Sequence, residues 1–235
     1  MASGHDRPNR HRRTKRSRAR RNDATDAHRK RRLAMVDRQI KNRGVTDPRV
    51  LAAMESVPRH LFVEESLAGT AYQDHPLPIA ASQTISQPYM VALMAQAAEI
   101  TPDDRVLEVG TGSGYGAAVL AALAAEVVTV ERHQKLADAA AELLAELGCH
   151  NVEVAKTDGT LGYPRGAPYS AVVVTASTES TPLPLVEQLA DGGRLIIPLG
   201  PLGEVQHLTR LRRTGDRTTT EPLGRVRFVP LIADD

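Results

Sequence analysis

Between residues 101 and 200, apolar and polar positions follow two alternating rhythms. Short runs rich in β-branched residues at Arg105–Val109, Val127–Glu131, Val152–Lys156, Ala171–Thr175 and Arg194–Pro198 predict strands. Between them, Tyr115–Ala124, Gln134–Leu147 and Pro182–Leu189 carry apolar residues at helical spacing. Buried strands alternating with helices predict a doubly wound α/β fold, with a mostly parallel sheet covered on both faces. Upstream, Leu33–Val45 has helical spacing at Leu33, Val36 and Ile40, with Gly44 as its stop. Asp47-Pro48 supplies a cap and a first-turn proline for a second helix through Val50, Leu51 and Met54, which Pro58 ends. A third helix is expected over Met90–Ile100. The Pro-rich, polar stretch Gly69–Pro88 is too long for an idle connection and reads as a functional loop. Past residue 200, Gln206–Arg212 and Val226–Leu231 alternate on either side of a polar turn at Gly215-Asp216, predicting an antiparallel pair that closes the sheet. The expected organisation is one domain over 33–235: a helical part (33–100), an α/β core (101–200) and C-terminal strands (201–235).

Charge separates the first 32 residues from the rest. They hold 13 Lys/Arg against three acids, +10, whereas the remaining 203 residues carry −8 and the whole chain +2. So charged a segment has little apolar surface to bury and is expected to be a disordered tail over 1–32. Nucleic acid is a conceivable partner only through that tail. The single cysteine, Cys149, excludes an internal disulfide and fits a reducing compartment. No apolar run approaches the ~20 residues of a membrane span, so a cytoplasmic protein, monomeric and without a membrane partner, is expected.

Candidate chemistry concentrates where the first core strand ends. Glu108 is followed by Gly110-Thr111-Gly112-Ser113-Gly114, and an acid, Glu131, closes the next strand. Glycines let the backbone turn sharply and approach a ligand more closely than a Cβ allows, and a carboxylate one strand later can accept both hydroxyls of a ribose. Gly-x-Gly-x-Gly is shorter than the spacing that pyrophosphate-binding turns favour, so S-adenosyl-L-methionine is expected rather than NAD. In a doubly wound sheet ligands bind beyond the carboxyl ends of the strands. Asp158-Gly159 and Thr175 end the third and fourth strands, and Asp158 could accept from an adenine amino group. An ordinary Asp-Gly turn is the alternative for Asp158. Ser86, two residues before Pro88 and the next apolar run, could be either a site residue or a helix N-cap. No metal site is expected.

Over nearly all of residues 35–231 the chain resembles the bacterial type of protein-L-isoaspartate O-methyltransferase. The resemblance is carried by Met35-Val-Asp-Arg-Gln-Ile40, Val57-Pro-Arg-His-Leu-Phe-Val63, Gln83-Thr-Ile-Ser-Gln-Pro88, Leu107-Glu-Val-Gly-Thr-Gly-Ser-Gly-Tyr115 and Val226-Arg-Phe-Val-Pro-Leu231. It implies a Rossmann-like fold dependent on S-adenosylmethionine, with S-adenosyl-L-homocysteine as product. It implies Ser86 as the active-site serine, a loop with Thr84 and Ile85 bordering cofactor and substrate, and Val229 and Pro230 on the substrate side. The implied reaction methylates the free carboxylate of an isoaspartyl residue in damaged peptides or proteins, opening repair through a succinimide. The chain departs from the family's usual residues at Thr157, Gly116 and Ser177-Thr178-Glu179. Two alternatives follow: a maturation enzyme acting on an aspartate of one dedicated precursor peptide, and a nucleic-acid-binding protein working through its basic tail.

Overall fold

The computed structural model of the chain describes residues 26–233. Nine strands and six α-helices lie within them. The strands are β1 Leu77–Pro78, β2 Thr84–Ile85, β3 Arg105–Val109, β4 Glu126–Glu131, β5 Val152–Lys156, β6 Tyr169–Val174, β7 Leu189–Leu199, β8 Gln206–Thr214 and β9 Arg217–Val226. The helices are α1 over 26–35, α2 Pro48–Ser56, α3 Pro88–Ala97, α4 Tyr115–Ala121, α5 Gln134–Glu146 and α6 Leu183–Glu187.

Seven strands form one sheet in the order β5-β4-β3-β6-β7-β8-β9, parallel from β5 to β7 and antiparallel beyond. The chain steps outward from β3 to β4 and β5, then crosses to the other side of β3 with β6. That reversal opens a crevice at the carboxyl ends of β3, β4 and β6, where the predicted site residues lie. Alternation along each strand divides the core in two. Val106, Val127, Ala171 and Ile196 face the helical layer, against Met54, Ala92, Val119 and Leu144. Leu107, Val109, Val128 and Val130 face the other side, against Leu185, Leu189 and Tyr169. The expected covering of both faces is present but uneven, because α1–α5 share one face and α6 with short 3₁₀ turns covers the other.

The local signals at the start of the domain perform as the sequence predicts. Asp47 accepts from the Arg49 amide at 2.8 Å to cap α2, and Pro48 occupies its first turn. Beyond α1 the helix widens to a π-turn over Val36–Ile40, tightens over Lys41–Arg43, and stops at Gly44 with φ 93°.

Two expectations need correction. The boundary drawn after residue 32 falls inside α1. The His28 ring stacks on His60 with centroids 4.0 Å apart and planes 4° apart, and Arg32 Nε donates to the Glu55 carbonyl at 2.6 Å. This helix docks through ring stacking and hydrogen bonds, which a count of apolar residues does not register. Disorder and nucleic-acid contact over 1–25 concern residues outside those described. The C-terminal hairpin does turn at Gly215-Asp216, but its second strand is β9, Arg217–Val226, rather than Val226–Leu231. β9 is an exposed edge strand, where Pro222 is tolerated beside a register shift at Leu208/Thr209. The 227–231 segment leaves the hairpin and docks on the end of β6: Ser177 N–H donates to Val229 O and Leu231 N–H to Ser177 O, both at 2.7 Å.

Candidate active site

The Gly69–Pro88 stretch folds back as a small hairpin, β1 against β2, whose tip holds Ala81 and Ser82 at φ 56° and 55°. Ile79 Cδ1 of this hairpin would touch a Cβ placed on Gly112, at 3.5 Å, so the hairpin lies over the glycine turn that follows β3. Between the two lies a cavity of about 360 Å³, inside the range of small-molecule sites. Thr84, Ile85 and Ser86 form its roof. Glu108, Gly110, Thr111, Gly112 and Ser113 form its floor, and Glu131, Gly159 and Thr175 its far wall. Val229 and Pro230 border it from the C-terminal segment.

The register of β3 and β4 explains the floor. Glu108 pairs directly with Thr129, and both point toward the helical layer. Thr129 Oγ1 donates to Glu108 Oε2 at 2.6 Å and lies 2.7 Å from the Thr111 hydroxyl, a chain of oxygens running into the glycine turn. Burial pushes the Glu108 carboxyl up to about 8, opposed by the Thr129 hydrogen bond and reinforced by the Glu131 charge, so Glu108 holds its proton at neutral pH. The same carboxyl accounts for Gly116. A Cβ there would stand 2.1 Å from Glu108 Oε1, and the glycine in the first turn of α4 leaves that space.

Glu131 is anchored through both oxygens. Gly112 N–H donates to Oε2 at 2.9 Å and His133 N–H to Oε1 at 3.0 Å. Each oxygen keeps acceptor capacity toward the cavity, as binding a pair of vicinal hydroxyls requires. The glycines divide the remaining work. Gly110, at φ 96°, lies under Thr175, whose hydroxyl donates to the carbonyls of Val109 and Gly110 at 3.0 and 2.8 Å. Thr175 therefore borders the cavity but spends its donor on holding the turn. Gly112, at φ 53°, gives an amide to Glu131. Gly114 does not border the cavity: a Cβ on it would press on Ala140 and Leu144 of α5, so it serves helix packing. Asp158 is also outside the lining. It caps the short turn Gly159–Leu161, accepting from the Thr160 amide and hydroxyl at 2.8 and 2.7 Å, while Gly159 itself faces the cavity.

Ser86 is not a cap. Gln87 occupies the N-cap position of α3 and no side chain caps that helix, so the half-buried Ser86 hydroxyl is left bordering the cavity. Sequence reasoning missed Met90 and Val91 on the first turn of α3, His133, and the Arg227-Phe228 pair, all of which line the site. His133 was reachable in principle, since it follows Glu131 by two residues. Met90 and Val91 belong to an apolar helix run that carries no local mark of a ligand. A further support is Arg59, fully buried, whose guanidinium lies 4.7 Å over the ring of Tyr115 at the start of α4. Among the described residues no cluster of three or more His, Cys, Asp or Glu could hold a metal ion, and no helix is long and apolar enough to cross a membrane.

The sheet order, the glycine turn and the anchored acid that ends β4 define a Rossmann-like methyltransferase of the S-adenosylmethionine-dependent class. A glycine cradle that a Cβ would fill and a carboxylate poised for vicinal hydroxyls fit that cofactor. The family described as Protein-L-isoaspartate(D-aspartate) O-methyltransferase matches residues 30–235, and the chain belongs to it. A relative from Methanoculleus marisnigri named protein-L-isoaspartate O-methyltransferase is 56% identical over 207 residues, covering 88% of this chain and 94% of its own length. A solved structure named protein-L-isoaspartate O-methyltransferase superposes with a TM-score of 0.77 at 28% identity, over 86% of this chain and 65% of that longer one. A Plasmodium falciparum protein titled a putative protein-L-isoaspartate O-methyltransferase, in complex with S-adenosyl-L-homocysteine, gives a TM-score of 0.75 at 26% identity, over 86% of this chain and 99% of its own.

Proposed function

We propose that the chain transfers the methyl group of S-adenosyl-L-methionine to the free carboxylate of L-isoaspartyl residues, the first step in repairing aged polypeptides. The observation that carries this reading is one cavity bordered by both the Ser86 hydroxyl and the Glu131-anchored glycine turn. Glu131 would take the ribose hydroxyls, and the glycine turn would admit the cofactor's backbone-facing edge. The cofactor supplies a methyl group on a sulfonium, electrophilic without further activation.

The accepting carboxylate, with an unperturbed pKa of about 3.5, is already ionised at neutral pH. No general base is needed, which suits a site whose hydroxyl has no partnered histidine among the described residues. What the protein must provide is alignment, an effect that can contribute ~7–11 kcal/mol. Ser86 would donate a hydrogen bond to the carboxylate and orient it. The 227–231 segment, pinned to Ser177, would hold the peptide backbone beside Val229 and Pro230. Methylation turns the carboxylate into an ester with a better leaving group. The neighbouring backbone nitrogen then displaces methanol to give a succinimide, whose hydrolysis returns some normal aspartate. The reading includes a working monomer, acting in the cytoplasm where cofactor and ageing proteins meet.

Labelled methyl transfer to an isoaspartyl peptide and its normal-aspartyl twin tests the reading. Label should enter the isoaspartyl peptide and leave its twin essentially unlabelled. Equal labelling, or labelling of neither when cofactor is bound, refutes it. Labelling of one precursor peptide and of no other isoaspartyl sequence would identify a maturation enzyme instead.

A further inference from the structure

A second concavity, of about 530 Å³, opens beside the active site. It shares Gln87, Met90 and Arg227 with the catalytic cavity, so the two form one continuous depression that leads away from Ser86. One bank is the first turns of α3 with Arg43, and the other is the end of β9 running into Arg227. The banks are rich in guanidinium. Arg43 lies 3.5 Å over the Tyr89 ring and pairs with Asp74, which also accepts from the Gln87 side chain and the Tyr89 amide. Arg43 is thereby both neutralised and fixed in place. Arg225 and Arg227 are exposed, and among the described residues neither forms an ion pair. The groove thus carries two unbalanced positive charges over a floor that includes Leu93, Leu223 and Val226.

This arrangement is unusual for the folded body, which is net negative over residues 33–235. A ligand entering from solvent meets a locally cationic, partly apolar channel that continues into the catalytic cavity at one end and, past Leu93 and Leu223, into a further concavity at the other. Taking the methyl acceptor to be a peptide, as proposed above, its reacting residue sits at Ser86 and its neighbours must leave the cavity through an open side.

We infer that this groove binds the residues flanking the isoaspartyl residue of the substrate, and that Arg225 and Arg227 select acidic side chains there. Arginine suits this role, since its planar fork meets a carboxylate through two parallel hydrogen bonds. Because the site is exposed, the preference is moderate and screened by salt.

The test uses the full chain and three isoaspartyl peptides that differ only in having Glu, Ala or Lys beside the isoaspartyl residue. Binding is read by fluorescence anisotropy in the presence of S-adenosyl-L-homocysteine, and turnover by labelled methyl. The expected Kd and KM rise in the order Glu, Ala, Lys, with about three- to tenfold between the extremes at low salt, shrinking at higher salt. Arg225→Glu, which sets a carboxylate against Arg227, should flatten the order, and Arg225→Lys should keep most of it. Equal affinities for the three peptides, or an order that Arg225→Glu leaves intact in a folded variant, overturns the inference. Failure to methylate any of them would overturn the catalytic reading instead, while the anisotropy order would still decide whether the groove sorts peptides by charge.

Discussion

Gly110→Ala is the most direct way to ask whether the cofactor cradle is held as described. The native residue sits at φ 96°, and an added Cβ would lie 2.3 Å from the Thr175 hydroxyl oxygen. Two costs follow. An L-residue in left-handed backbone costs about 1–2 kcal/mol wherever it stands. Displacing Thr175 also breaks its hydrogen bonding to the Val109 and Gly110 carbonyls, at about 1–2 kcal/mol for a half-buried donor shared between two acceptors. The sum is about 2–4 kcal/mol, or roughly 4–16 °C in Tm for a domain of this size. A double-mutant cycle with Thr175→Ala separates the two terms. Thr175→Ala alone should cost about 1 kcal/mol. In that background Gly110→Ala should cost only the backbone term, leaving a coupling of about 1–2 kcal/mol measurable by urea denaturation. Costs that add within about 0.5 kcal/mol would show that the Cβ and the hydroxyl do not compete. A Gly110→Ala protein that melts like the parent and binds cofactor normally would refute the whole account of the turn.

Ser86→Ala should lower kcat far more than it changes cofactor affinity or Tm, because Gln87 rather than Ser86 occupies the cap of α3; a lower Tm with normal turnover would reverse that assignment. Glu108→Gln should flatten the pH dependence of S-adenosylmethionine binding: in the parent a cationic ligand favours the carboxylate, so affinity should rise as pH climbs from 7 toward the group's value of about 8 and level off above it. Calorimetry in buffers of different ionisation enthalpy reads the released proton, and a pH-independent parent affinity would exclude the coupling. Removing 1–32 should cost roughly 1–3 kcal/mol more than removing 1–25, since only the longer deletion strips the His28 stack and the Arg32–Glu55 hydrogen bond. Burial, with the His28 and Arg32 charges, holds His60 down to about 4. The unfolded chain takes up that proton near 6.5, so the contribution of His60 is complete above pH 6.5 and is lost as pH falls toward 4. This acid-side loss should be shallower in the protein lacking 1–32, and identical pH profiles for the two truncations would contradict it.

Much of this protein was legible before folding, for reasons that are local. The strands β3 to β7, the glycine turn and the cap at Asp47 follow from hydrophobic rhythm and from residue types that tolerate few backbone conformations. A buried parallel strand must be apolar along its length, and Gly110 and Gly112 stand at φ 96° and 53°, where other residues are strained. The acid that closes β4 was legible too, because one strand end in a doubly wound sheet always faces the crevice. Contacts between distant segments were not. β9 is an exposed run of threonines with a proline, and it becomes a strand only because β8 offers an edge. The 227–231 segment alternates like a strand but is claimed by Ser177, fifty residues upstream. Helix α1 reads as part of a charged tail until His60 and Glu55 present partners to it. Pairing of Glu108 with Thr129 depends on the register between two strands, which no single segment specifies. The sequence by itself determined which segments would be buried and where the backbone would bend, since both are paid by each residue alone. Only the tertiary structure decided which polar groups meet, because hydrogen bonds, ring stacks and buried carboxyls depend on partners that the chain brings together from far apart.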